Sequence, residues 1–441
     1  MSSIPASPTV SIHGQDAGTH DQVAPGEIAV GVVIGRTSEY FDFFVYGIAS
    51  ALVFPKVFFP FADPLQATLY SFAVFAVAFL ARPLGTVLFL WIQDRWGRGT
   101  KLTAALFLLG TSTAGIAFLP GYEKIGAAAI VLLSLFRASQ GVALGGSWDG
   151  LPSLLALNAP KHRRGWYAML GQLGAPVGFI VAAALFAFLY SSLSSDDFHA
   201  WGWRYPFFAA FAINVVALFS RLRLVVTREY EQQMGERELE PVPVAELFRV
   251  KGRHVVIGAF AALASYAMFH IVTIFPLSWI QLFTGQDISR FLMVQVAGGF
   301  LAIGGMLASG VIADRFGRVP TLGATALAIA VFSGFAPTLL GGGPVSQQVF
   351  MLVGFLLLGL SYGQASGAVT RNFGARYRYT GAALTTDLAW LIGAAFAPLV
   401  ALGLCAHFGL PYVGLYLLSG AVSTLAALLV NRWLKQREAQ A

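Results

Sequence analysis

The chain has 441 residues, of which 57% are hydrophobic and only 11% charged, whereas soluble domains carry about 25% charged residues. A soluble fold cannot hide that much apolar surface; the single cysteine excludes an intramolecular disulfide, and no Cys/His cluster suggests a metal site, so no cofactor is expected. The net charge of +7 would suit a nucleic-acid binder, but the Lys and Arg residues alternate by loop instead of gathering in a patch, so the bilayer is the expected partner and nucleic acid is not.

Residues 1–27 are polar and hold no Lys or Arg, so they lack the basic start of a signal peptide and read as a disordered cytoplasmic tail. Apolar runs long enough to cross about 30 Å of hydrocarbon follow. They place spans near 28–53, 67–92, 102–119, 125–148, 165–190 and 204–224, then 254–283, 291–313, 320–340, 346–370, 380–405 and 409–433. The expected fold is an all-α membrane protein of twelve transmembrane helices. Residues 28–224 form an N-terminal six-helix bundle and 254–434 a C-terminal one, joined by a charged central loop at 225–253 and followed by a tail at 435–441.

Basic residues mark one side of the membrane. Arg95, Arg98 and Lys101 follow the second span, Lys161, Arg163 and Arg164 the fourth, Arg315 and Arg318 the eighth, and Arg371, Arg376 and Arg378 the tenth. The opposite loops hold little beyond Lys56, Lys124 and Arg290. The positive-inside rule makes both termini and the central loop of this multi-pass protein cytoplasmic.

Asp94-Arg95-Trp96-Gly97-Arg98 ends the second span of the first half, and Asp314-Arg315-Phe316-Gly317-Arg318 ends the second span of the second half. This is an internal repeat in register. Gly317 allows a tight corner, and Asp314 can cap a helix N-terminus or pair with a base of the neighbouring bundle, closing a gate. Six plus six helices with these turns resemble the major facilitator superfamily, which implies two pseudo-symmetric bundles rocking about a central site.

Four segments narrow the resemblance to the metabolite:proton symporters of shikimate, α-ketoglutarate, citrate and proline/betaine. They are Glu39-Tyr40-Phe41-Asp42-Phe43-Phe44-Val45-Tyr46-Gly47, Arg82-Pro83-Leu84-Gly85, Arg137-Ala138-Ser139-Gln140-Gly141 and Trp201-Gly202-Trp203-Arg204-Tyr205-Pro206-Phe207. The chain departs from that pattern at Leu90 and Gln93 in the first turn. It also does so at Ser147, where the family has Glu and this chain has an acid only at Asp149, and at Leu157 and Arg371.

Ionisable groups at membrane depth tend to mark pathways. Arg36, Glu39, Asp42 and Tyr46 share a sector of about 120° on the first span at about 100° per residue, a polar face that must point into the bundle. Asp42 and Glu39 either carry a coupling proton or form a fixed ion pair with Arg36 or Arg137. Arg137, near mid-span, either holds a substrate carboxylate with help from Gln140 or pairs with Asp42 or Glu39. Arg82 lies nearer the cytoplasm and suits a gate, with substrate contact as the alternative.

In the second half, His270 is either a satisfied structural donor or a substrate or proton ligand. Asp387 serves coupling, binds a cation, or pairs with Arg371 or Arg378. Gly141 with Gly145, Gly174 with Gly178, and Gly359 with Gly363 and Gly367 have the spacing of closely packed helices. No Walker lysine or hydrolytic triad is present, so the chain is not expected to be an enzyme.

The sequence thus reads as a proton-coupled symporter of a small polar metabolite, a carboxylate first, working as a monomer. An exporter or an uncoupled facilitator, and a non-transporting membrane sensor or scaffold, are the alternatives.

Overall fold

The computed structural model describes residues 25–147, 155, 159–225, 240–370 and 373–440. All regular structure among them is helical. Helix α1 is Pro25–Leu52. One continuous run, Pro64–Phe118, holds two spans, α2 over 64–96 and α3 over 98–118, divided at Gly97 with φ of 83°. Helix α4 is Ala127–Gly146, α5 comprises Arg164–Leu170 and Gly174–Ser192, and α6 is Arg204–Val225.

In the second half, α7 has three pieces, Val244–Ala261, Leu263–Thr273 and Phe275–Phe283. Helix α8 is Ile288–Phe316, α9 is Arg318–Gly341 and α10 is Pro344–Thr370. Helix α11 comprises Ala375–Gly393 and Ala397–Phe408, and α12 is Pro411–Gln440. Among the described residues, ten helices are long and apolar enough to cross a membrane. Separating the two spans of Pro64–Phe118 and adding Pro25–Leu52 gives the twelve expected.

The halves repeat one packing scheme. Helix α2 packs on α4 as α8 packs on α10, and α3 lies on α6 as α9 lies on α12. Glycine sets both close approaches: a methyl at Gly141 would run into the Ala78 carbonyl, and one at Gly359 into the Ala302 carbonyl. Between the bundles, α5 meets α8 and α2 meets α11, two seams related by the repeat. The ends carrying Gly97 and Gly317 define one face of the molecule, here termed the turn face.

Three boundaries differ from the expectation, the first at residues 25–27, read as tail, which begin α1. Residues 244–253, read as loop, are helical, because Pro243 starts the helix and Leu247 is buried beside Val255, Phe373 and Leu384. Residues 435–440, read as tail, continue α12. The expected tail up to residue 24, Asp149, Leu157, Arg371 and residues 226–239 of the central loop lie outside the described residues.

Helices α7 and α11 are broken near mid-membrane. Pro276 and Pro398 each lack an N–H and restart a helix after a short interruption. Interrupted helices free backbone polar groups where they line a path through the protein.

Candidate functional site

The seam between the bundles holds a cavity of about 60 Å³, room for about four waters. Arg36, Glu39, Tyr40 and Phe43 reach it from α1, Phe79 and Arg82 from α2, and Gln172 from the break in α5. Tyr266 comes from α7, Tyr362 from α10, and Thr386 and Trp390 from α11. The Tyr40 and Tyr362 hydroxyls hydrogen-bond across the seam.

Two ion pairs border this space. Within α1, Arg36 Nη1 donates to Glu39 Oε2 at 2.9 Å. Across the seam, Arg82 Nε donates to Asp387 Oδ1 at 2.7 Å, and the Thr86 hydroxyl donates to the other carboxylate oxygen. Gly145 lets α4 touch α2 at the Arg82 carbonyl, so the backbone that carries Arg82 is fixed. Asp387 is thus held across the seam by α2, because its turn of α11 faces that helix; of the partners expected for it, Arg371 lies outside the described residues and no ion pair joins it to Arg378.

Asp42, Tyr46, Arg137 and Gln140 share the expected buried location but do not line the cavity. The polar face of α1 points inward as expected, but of its residues Arg36 and Glu39 reach the cavity while Asp42 and Tyr46 turn into the N-terminal bundle. Asp42 accepts from the Thr113 hydroxyl at 2.5 Å and from the amides of Gln140 and Asn214, each at 3.4 Å, inside the N-terminal bundle. Gln140 Oε1 accepts from Arg137 Nη1 at 3.1 Å, so the amide stands between acid and base, and no ion pair joins them. Arg137 Nε donates to the Phe75 carbonyl at 3.2 Å, and its guanidinium lies 3.9 Å from the centre of the Tyr46 ring. Pure helical phase cannot separate the two groups: the α1 sector is wide enough to address both the seam and the bundle interior.

His270 is fully buried among the rings of Phe43, Phe75, Phe79, Phe269 and Trp390, at centroid distances of 5.2 to 6.2 Å. The expectation of a satisfied structural donor is not met. Neither ring nitrogen has a hydrogen-bond partner among the described residues.

On the turn face the two repeats behave differently. Asp314 accepts from the backbone N–H groups of Gly165 at 2.6 Å and Trp166 at 3.2 Å, capping the start of α5 across the seam. Arg318 is buried and donates to the Arg164 carbonyl, while Gln364 donates to the Gly165 carbonyl at 3.2 Å. Gly317 makes the corner with φ of 90°. Arg315 is exposed over the Phe316 ring.

In the first copy, Asp94 and Arg95 are exposed, and Asp94 has no hydrogen bond or ion pair to the described residues. The seam there is held instead by buried Lys101, which donates to Gln93 Oε1 and to the Tyr379 hydroxyl, each at 3.0 Å. Arg98 is half-buried.

Sequence reasoning missed Thr86, Thr113 and Asn214, the neutral partners of the buried acids. It also missed Tyr362 and Trp390, which complete the cavity. A polar residue inside an apolar span was the available signal for the first three; aromatic residues in such spans carry none.

The model of the Major Facilitator Superfamily matches residues 32–387. The chain is 37% identical over 414 residues to the inner membrane metabolite transport protein YhjE of Escherichia coli (strain K12), covering 92% of this chain and 93% of that one. It is 33% identical to the shikimate transporter of the same strain, over 94% of this chain and 97% of the relative. To the proline/betaine transporter of Salmonella typhimurium (strain LT2) it is 30% identical, over 68% and 62%. Among solved structures, a D-xylose–proton symporter superposes with a TM-score of 0.68 at 19% identity, covering 91% of this chain and 96% of that chain, a likeness of fold. With two six-helix bundles closing on a buried central cavity, and with relatives matched along nearly its whole length, the chain belongs to the Major Facilitator Superfamily, in the branch that holds the metabolite, shikimate and proline/betaine transporters.

Proposed function

We propose that the protein is a proton-coupled symporter of a small polar metabolite that carries a carboxylate, acting as a monomer in a bacterial inner membrane with its turn face and both termini in the cytoplasm. The observation that carries this reading is the Arg82–Asp387 pair: one partner lines the cavity, and the two come from opposite bundles. A substrate carboxylate and Asp387 compete for the same guanidinium. A proton on Asp387 weakens its hold on Arg82, the substrate takes its place, and the link between the bundles is broken so that they can rock. Relatives named as shikimate and proline/betaine transporters support a small polar cargo. The basic residues of the turn-face loops support the orientation.

The alternative reading, with the coupling proton on Asp42 instead of Asp387, has one observation in its favour. Asp42 binds neutral donors and no cation within ion-pair distance, so protonating it strands no arginine. Its link to Arg137 runs through Gln140.

The test is uptake into proteoliposomes, after a thermal-shift screen of mono- and dicarboxylates, amino acids and betaines has found a ligand. Asp387→Asn should abolish accumulation driven by a pH gradient and leave substrate counterflow measurable. Accumulation that survives in this variant removes Asp387 from the coupling role. Ligands confined to amines or neutral sugars would overturn the carboxylate reading, and accumulation insensitive to the pH gradient in the unmodified protein would favour a facilitator or exporter.

A further inference from the structure

Beyond the cavity, three buried polar side chains gather around shared phenylalanine rings at mid-membrane with atoms that have no partner among the described residues: Arg137 Nη2, the Tyr46 hydroxyl and both ring nitrogens of His270. Each residue is at most 1% exposed. Arg137 and Tyr46 are in contact, and Arg137 and His270 share two walls. Phe43 lies 5.8 Å from the guanidinium and 5.5 Å from the imidazole, and Phe75 lies 4.8 Å and 5.2 Å from them.

Arg137 and Tyr46 belong to the N-terminal bundle and His270 to the C-terminal bundle, so the group straddles the surfaces that rocking separates. Three rings that line the cavity, Phe43, Phe79 and Trp390, are also neighbours of His270. Along α1, Phe43 is about 10 Å beyond Arg36 at 1.5 Å per residue, away from the turn face.

We propose that Arg137, Tyr46 and His270 form a second carboxylate-binding station on the transport path, shut off from the cavity by Phe43, Phe79 and Trp390. The station rests on the carboxylate reading above. Buried polar groups are ordinarily hydrogen-bonded, and a cluster that is not is explained when another stage of the cycle supplies the partner. The chemistry of the cluster selects an anion. Arg137 brings a positive charge that no ion pair offsets here, and a phenol and an imidazole N–H add neutral donors. A substrate arriving from the face opposite the turns would meet this station first and reach Arg82 only after the rings part.

The test uses the full chain in proteoliposomes on a Cys405→Ala background, which removes the native thiol. A cysteine placed by His270→Cys should react at least tenfold faster with an anionic sulfonatoethyl methanethiosulfonate than with its cationic trimethylammonium counterpart, and adding Arg137→Gln should erase that preference. No reaction at position 270, while Thr386→Cys in the cavity reacts, would overturn the station; so would equal rates with the two reagents. His270→Phe gives an independent reading, with succinate as the probe. Loss of two partnerless nitrogens should hold or raise the melting midpoint while succinate affinity falls at least tenfold, and unchanged affinity would count against the station. A protein that binds no carboxylate yet keeps the sulfonate preference at 270 would sink the carboxylate-symport reading while leaving an anion station.

Discussion

Arg82 and Arg137 are both arginines inside apolar spans, and their surroundings give them different work. Arg82 faces the cavity and is held by a carboxylate from the other bundle, whereas Arg137 is held by a carbonyl, an amide and an aromatic ring of its own bundle. Asp42 shares that inner cluster. Asp42→Asn keeps the size but turns one acceptor into a donor facing the Gln140 or Asn214 amide, so we expect a loss of about 1 to 3 kcal/mol of stability, seen as a lowered melting midpoint, with pH-driven accumulation retained. If accumulation is lost while counterflow persists, the coupling proton belongs on Asp42. The period of α1 was enough to show that Arg36, Glu39, Asp42 and Tyr46 lie on an inward face. It was not enough to divide them, because the partners that do so, Thr113, Asn214 and Gln140, come from α3, α6 and α4. Asp387 was likewise legible as a buried acid, while its partner, 305 residues away, was legible only from packing.

Helix positions were the most legible layer, since length and apolarity alone dictate what crosses hydrocarbon. Residues 244–253 were not legible because their charges resemble a loop, and the burial of Leu247 that keeps them helical depends on Leu384 in distant α11 and on Phe373 just before that helix. The repeated turns were read correctly as sharp corners. Both Gly97 and Gly317 adopt positive φ with extended ψ, a region closed to residues with a Cβ. Gly97 has open space around it, so Gly97→Ala isolates the backbone term. It should cost about 1 to 3 kcal/mol, measured as a fall in denaturation midpoint of the purified protein, and an unchanged midpoint would show that the corner relaxes freely.

In the whole molecule, both ends of the seam are closed at once. The turn face is held by Asp314, Arg318 and Gln364 against the start of α5. The other face is held by the Ser289 hydroxyl on the Ala187 carbonyl at 3.0 Å and by Ile274 against Gly47. Alternating access requires these two sets to break in turn. Asp314→Asn keeps one acceptor and forfeits charge at a helix N-terminus, so it should shift the population toward opening at the turn face by about 1 kcal/mol. Spin-label pairs, one at each face, should show the turn-face distance lengthening while the opposite one stays short, with equilibrium binding retained; lengthening at both faces would mean a general loosening. Of the two repeated turns, one makes its cross-seam contact through its own Asp314, while the seam beside the other relies on Lys101 and Tyr379, which the repeat pattern does not reveal.

The small size of the closed cavity has an energetic meaning of its own. A space for about four waters, bordered on one side by the rings of Phe43, Phe79 and Trp390, is too small by itself to string a hydrogen-bonded chain of solvent from one face to the other. If the protein is the coupled carrier proposed above, it is an insulator in this state: an ion gradient across the membrane is not short-circuited while it waits for cargo.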